Sequence, residues 1–135
     1  LEELARELSL TNAVRFMGSI FEEAELAPWF LSAEVCVHPG AIGLTLLHSL
    51  GYGLPVLTHD ERKYHGPEFA AITNRENSYT YKYGDYDSLR FELCSILENK
   101  RGLKKCKINA LYTARNIYNT DVMVDRFLKL VNEAK

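Results

Sequence analysis

Leu1, Leu4, Ala5 and Leu8 recur at the spacing of one helix face, so the chain opens in a helix. Thr11 and Asn12 turn it, and Val14 to Met17 reads as a short strand ending at Gly18. Ser19 and Glu22 have the form of a capping box, which predicts a helix start there. Pro28 suits the first turn of a second helical piece. Val35 to Val37 is a buried strand ending at Pro39. The loop Gly40 to Gly43 leads into a helix from Leu44 to Leu50, which Gly51 and Gly53 end. Pro55 to Thr58 is the next strand, and it closes at His59 and Asp60.

Further on, Glu61 to Gly66 is polar and reads as a loop, and Pro67 to Ala71 as a short helix. Ser78 to Tyr81 is a strand. Asp87 or Ser88 caps a helix carrying Leu89, Leu93, Ile96 and Leu97. Two more helices follow, Leu103 to Ile117 and Asp121 to Asn132, the second capped by Thr120. Short apolar strands alternating with helices predict an α/β fold, a Rossmann-like parallel sheet with helices on both faces.

Composition narrows the partners. The chain has 135 residues, enough for one core, and a net charge of −2 with a pI near 6.1 argues against nucleic acid. The basic run from Lys100 to Lys107 is short and reads as a solvated helix end. Cys36, Cys94 and Cys106 lack metal or disulfide-framework spacing, so free thiols in a reducing cytosol are expected. There is no long apolar run and no signal peptide pattern. The chain starts at Leu1 already inside an amphipathic pattern, which reads as a fragment.

The stretch from Pro39 to Leu57 carries the chemistry. A buried strand runs into a small-residue loop that opens a helix. The first amides of a helix have no intrahelical partner and the dipole there favours an anion, so a phosphate can bind without a basic side chain. The candidate donors are the amides of Ile42, Gly43, Leu44 and Thr45. His48 lies one turn beyond Leu44, within reach of a sugar hydroxyl beside such a phosphate. By spacing alone, a joint whose glycines serve only the turn fits equally well.

The order of motifs resembles family-4 glycosyltransferases and, more loosely, other GT-B enzymes. In that family a strand ending in Pro-Ser leads to Glu-Gly-Phe-Gly-Leu, then a second Glu, then a Gly-x-Pro-Val strand. Here His38-Pro39-Gly40, Gly43-Leu44 and Gly53-Leu54-Pro55-Val56 stand in the matching places. Val14 to Gly18 and Leu31 to Val35 are similar to the flanking segments. Gly66-Pro67-Glu68-Phe69 and Arg75-Glu76-Asn77-Ser78 are similar to the Gly-Pro-Glu and Gly-Glu-Asn-Gly signposts, and Gly84-Asp85 and Ala114-Arg115 extend the likeness almost to the end.

The resemblance implies that residues 1–135 are part of a GT-B C-terminal domain, the nucleotide-sugar-binding half, without its first strands and without the N-terminal acceptor domain. It implies retaining transfer of a hexose from a UDP- or GDP-linked donor, with no cofactor or metal, in glycan or polysaccharide assembly. The isolated fragment would be inactive. The diphosphate would lie on the amides of Ile42 to Thr45, the ribose on His48, and the base on the loop Gly18, Ser19 and Ile20. Gly40, Ala41, His59 and Asp60 would surround the donor sugar. A glycan or lipid-linked acceptor would come through the missing half, in a cytoplasmic protein that touches the membrane there.

Two departures stand out. Gly40 occupies the place of the family's first Glu and His48 that of the second. A glycine supplies no carboxylate, whereas a histidine still hydrogen-bonds a ribose. Gly40 thus keeps a second reading open, a non-catalytic nucleotide-responsive or protein-interaction module on the same fold. In the order 3-2-1-4-5-6, further strands would separate Val14–Met17 from Val35–Val37, so an exposed or repaired sheet edge and self-association are expected. His38, His59 and His65 lack close metal spacing. Tyr79, Tyr81, Tyr83 and Tyr86 read as packing against a helix rather than as a sugar-stacking ladder.

Overall fold

A computed structural model describes residues 1–133. The elements run α1 (Glu2–Glu7), α2 (Glu23–Ser32), β1 (Cys36–Val37), α3 (Thr45–Gly51), β2 (Val56–His59), β3 (Tyr79–Tyr81), α4 (Tyr86–Glu98), α5 (Lys100–Asn116) and α6 (Thr120–Glu133). Two 3-10 turns, Arg62–Tyr64 and Pro67–Ala71, lie between β2 and β3. The sheet is parallel, in the order β1-β2-β3, with Cys36 opposite Val56 and Leu57 opposite Tyr79.

Strand β2 is buried along its whole length, and alternation sends its side chains to opposite faces. Val56 joins Leu46 and Leu50 of α3, Ile42, Ala71 and Ala110 on one face. Leu57 joins Tyr79, Tyr81, Ile96 of α4 and Leu103 and Cys106 of α5 on the other. Helix α5 serves both faces: Leu103, Cys106, Ala110 and Thr113 form its buried stripe. Gly53 ends the α3 turn at φ +67°, and a Cβ there would meet the Lys107 carbonyl at 3.3 Å. Lys107 Nζ in turn donates to the Ala33 carbonyl and Glu34, tying α5 to the end of α2.

Several local expectations differ from the structure. Val14 to Met17 is not a strand: no neighbouring strand pairs with it, and Val14, Phe16 and Met17 are exposed. Strand β1 is therefore an edge of the described sheet, bonded to β2 alone. The Ser19–Glu22 capping box does not form, because Glu22 is itself the N-cap and makes no side-chain cap bond. Pro28 sits inside a single helix α2 rather than opening a second piece. Asp85, not Asp87 or Ser88, caps α4 by accepting from the Ser88 amide. Asn119 rather than Thr120 accepts the Val122 amide at the start of α6. In α4 and α6 a short polar side chain earlier in the chain reaches the free amide.

Candidate functional site

Three parallel strands end on the same side, and the loops that leave them gather there. The loop from Pro39 to Leu44 follows β1 and is fastened to the turn after β2 at two points. The Ile42 amide donates to His65 Nδ1 at 3.1 Å, and the Gly66 amide donates to the Ile42 carbonyl at 2.9 Å. Ile42 itself is 1% exposed and anchors the core below. Its amide, expected to be a free anion donor, is thus already spent. The amides of Gly43, Leu44 and Thr45 find no acceptor in the chain among the described residues. The Leu44 side chain is exposed.

His59 does not face an open cleft. It is 2% exposed, stacked on His65 with ring centroids 3.9 Å apart, and edged by Tyr64, Tyr81 and Tyr83. Its Nδ1 is buried without a hydrogen-bond partner. Burial, then the neighbouring His65, holds the His59 imidazole below its ordinary pKa, so it stays neutral. His65 is sandwiched between His59 and Phe69, whose ring lies 4.3 Å away, and its Nε2 contacts the His59 carbonyl at 2.9 Å. Asp60 is exposed and accepts the Tyr83 amide, while its own amide donates to the Tyr81 carbonyl. Gly40 and Ala41 are exposed on the loop, with Gly40's carbonyl 3.4 Å from His38 Nδ1.

Tyr79 and Tyr81 are core residues, as their alternation suggests, and burial raises both phenols. Tyr83 and Tyr86 leave the core. With Pro39, Tyr81, Gly84 and Asp85 they line a shallow cavity of about 190 Å³ beside the loop.

On the opposite flank, His48 does not stand alone. Its Nε2 lies 3.0 Å from Glu23 Oε1, and the Tyr52 hydroxyl donates to the same oxygen. Phe30 packs against both rings. Glu23 opens α2, which follows Gly18, Ser19 and Ile20 in the chain. Gly18 holds φ +66°, a backbone shape that a side chain would strain. Glu23 and Tyr52 carried no local signal in the sequence, and His65 showed only as a polar residue beyond the end of a strand.

Comparison with known proteins decides the family. A family model described as Glycosyl transferases group 1 matches residues 1–99. The chain belongs to that family. No curated protein matches this glycosyltransferase chain. Its fold is that of GT-B C-terminal domains among solved structures. Sucrose-phosphate synthase from Thermosynechococcus elongatus superposes with a TM-score of 0.78 at 20% identity, over 98% of this chain and 33% of that one. The C-terminal domain of a glycosyl transferase group 1 family protein from Francisella tularensis gives 0.72 at 19% identity, over 88% and 60%. HepE of Anabaena, in complex with UDP, gives 0.78 at 15%, over 98% and 35%. The glycosyltransferase chain thus spans about a third of the synthase and of HepE. No described helix is long and apolar enough to cross a membrane.

Proposed function

We propose that this chain supplies part of the nucleotide-sugar site of a family-4, retaining hexosyltransferase, and that the acceptor is held by protein outside residues 1–135. The donor is UDP- or GDP-linked, and the product belongs to glycan or polysaccharide assembly. The observation that carries the reading is the loop Pro39–Leu44. It is fixed by Ile42 to His65 and Gly66, and it leaves three successive amides at the start of α3 without acceptors. Those of Gly43, Leu44 and Thr45 hold the diphosphate, with Ile42 acting through its anchor rather than its amide. His48 takes the ribose, Gly18 to Ile20 the base, and Gly40, Ala41 and Asp60 the surroundings of the sugar. His59 acts from behind, as packing for His65.

The fold neighbour HepE, whose structure contains UDP, supports a uridine nucleotide as the first ligand to try. Calorimetric titration of the full-length protein with UDP, GDP and ADP tests the reading, with His48→Ala as the control. Binding of one nucleotide that weakens in His48→Ala is expected. Failure of all three to bind a folded protein would move the function to a non-catalytic interaction module. That second reading draws on Gly40, which stands where the family's first Glu supplies its carboxylate.

A further inference from the structure

Glu23 and His48 are 25 residues apart in sequence and come from two different helices, Glu23 from the first turn of α2 and His48 from the last turn of the short α3. A carboxylate only accepts hydrogen bonds, so the 3.0 Å contact requires the proton of His48 on Nε2. In neutral His48, Nδ1 is then an acceptor, and it has no partner among the described residues. Tyr52 also spends its hydroxyl on Glu23 Oε1, so Oε2 is left free of both. Every donor in the cluster is thus consumed on one oxygen, and what remains is a pair of acceptors. The Glu23 and His48 side chains are 62% and 38% exposed, so this pair is open to a ligand. Phe30 braces the His48 and Tyr52 rings from one side, at 5.0 and 5.4 Å. The Tyr52 hydroxyl, then His48, holds the Glu23 carboxyl below the usual carboxylate range, which keeps it an acceptor at neutral pH.

Two neighbouring acceptors with no donor between them are complementary to two adjacent O–H donors, the signature of a vicinal diol. We infer that Glu23, together with His48, accepts the 2′- and 3′-hydroxyls of the donor's ribose and makes this site selective for ribonucleotides. This assignment rests on the donor-site reading above. It adds to that reading a carboxylate brought in from α2, beside the base loop, and not from α3. Glu23 follows that loop in the chain, and His48 lies one turn beyond the Leu44 amide, so a ribose linking base to diphosphate would run past this pair.

The test compares UDP and GDP with their 2′-deoxy counterparts by calorimetry, in wild-type protein, Glu23→Ala and Glu23→Gln. Wild type should favour the ribonucleotide at least about tenfold, the scale of one hydrogen bond to a charged group. Glu23→Ala should weaken the ribonucleotide more than the 2′-deoxynucleotide, which lacks one of the two hydroxyls, so that the two affinities converge. Glu23→Gln, which keeps the size of the side chain, should lose part of the preference with an unaltered melting curve. Equal losses for both ligands, or none, would reduce Glu23 to a brace between α2 and α3 and overturn the inference while the donor site stands. No binding of any ribonucleotide by wild type would overturn both.

Discussion

His65 and Ile42 share a hydrogen bond that fixes the tautomer of one and the position of the other. Because the Ile42 amide donates to Nδ1, neutral His65 carries its proton on Nε2, which donates to the His59 carbonyl. The imidazole thereby staples the loop after β1 to the end of β2. His65→Phe keeps a ring between His59 and Phe69 but strands the buried Ile42 amide. We expect a loss of about 1–3 kcal/mol in urea unfolding and much faster hydrogen exchange at Ile42. Unchanged exchange there would show that the loop holds itself.

His59 gives the fold a pH dependence of definite sign. Its folded pKa is depressed, by burial first and then by His65, below the ordinary histidine value. The unfolded chain therefore binds the extra proton first as pH falls. Its contribution to stability is present above about pH 6.5 and is lost as pH drops through the folded value, at up to about 1.4 kcal/mol per pH unit. His59→Phe should flatten the melting temperature between about pH 7 and 5. Parallel curves for the two proteins would exclude His59 as the cause.

Much of this architecture is legible in the sequence, and the missed strand and the missed site contacts share one cause. Strand β2 and helix α3 declare themselves through a continuous apolar run, a loop of small residues and Gly53, all of them local. Val14 to Met17 has the same apolar look, yet a strand exists only by bonding to a neighbour, and composition cannot say whether one is there. The site behaves likewise. The helix-end amides can be read from Gly40 to Thr45, but His65 reaching Ile42 and Glu23 reaching His48 span 23 and 25 residues, with no periodicity to announce them.

Asn77 should be the costliest polar residue to truncate. Buried at 3% exposure, it accepts the Thr73 amide and donates to the Ala71 carbonyl and to Thr113 Oγ1. It thereby holds a turn in which Arg75 takes the left-handed φ of +64°. Asn77→Ala should cost about 2–4 kcal/mol, since it unpairs several groups at once. Thr113→Val, which removes a single partner of Asn77, should cost about 1 kcal/mol. Equal losses in chemical denaturation would place the burden on Thr113 instead.

The cysteines should separate by reactivity. Cys94 is exposed, whereas Cys106 is buried against Tyr79, and burial pushes its thiol up to about 11. Burial raises Cys36 as well. At pH 8 a thiol reagent should label Cys94 rapidly, and Cys36 and Cys106 only in denaturant. Rapid labelling of Cys106 in the native protein, read by mass spectrometry, would mean that the contact between α5 and β3 opens readily.

Val56 and Leu57 are adjacent in the chain, yet each belongs to a different one of the two apolar clusters. One peptide group is thus the wall between them, and α5 closes both from outside. Neither cluster can come apart without dragging β2 or α5 out of the other. Among the described residues these two clusters share no seam along which one could melt first, so loss of the α3 side and loss of the α4 side should be a single event.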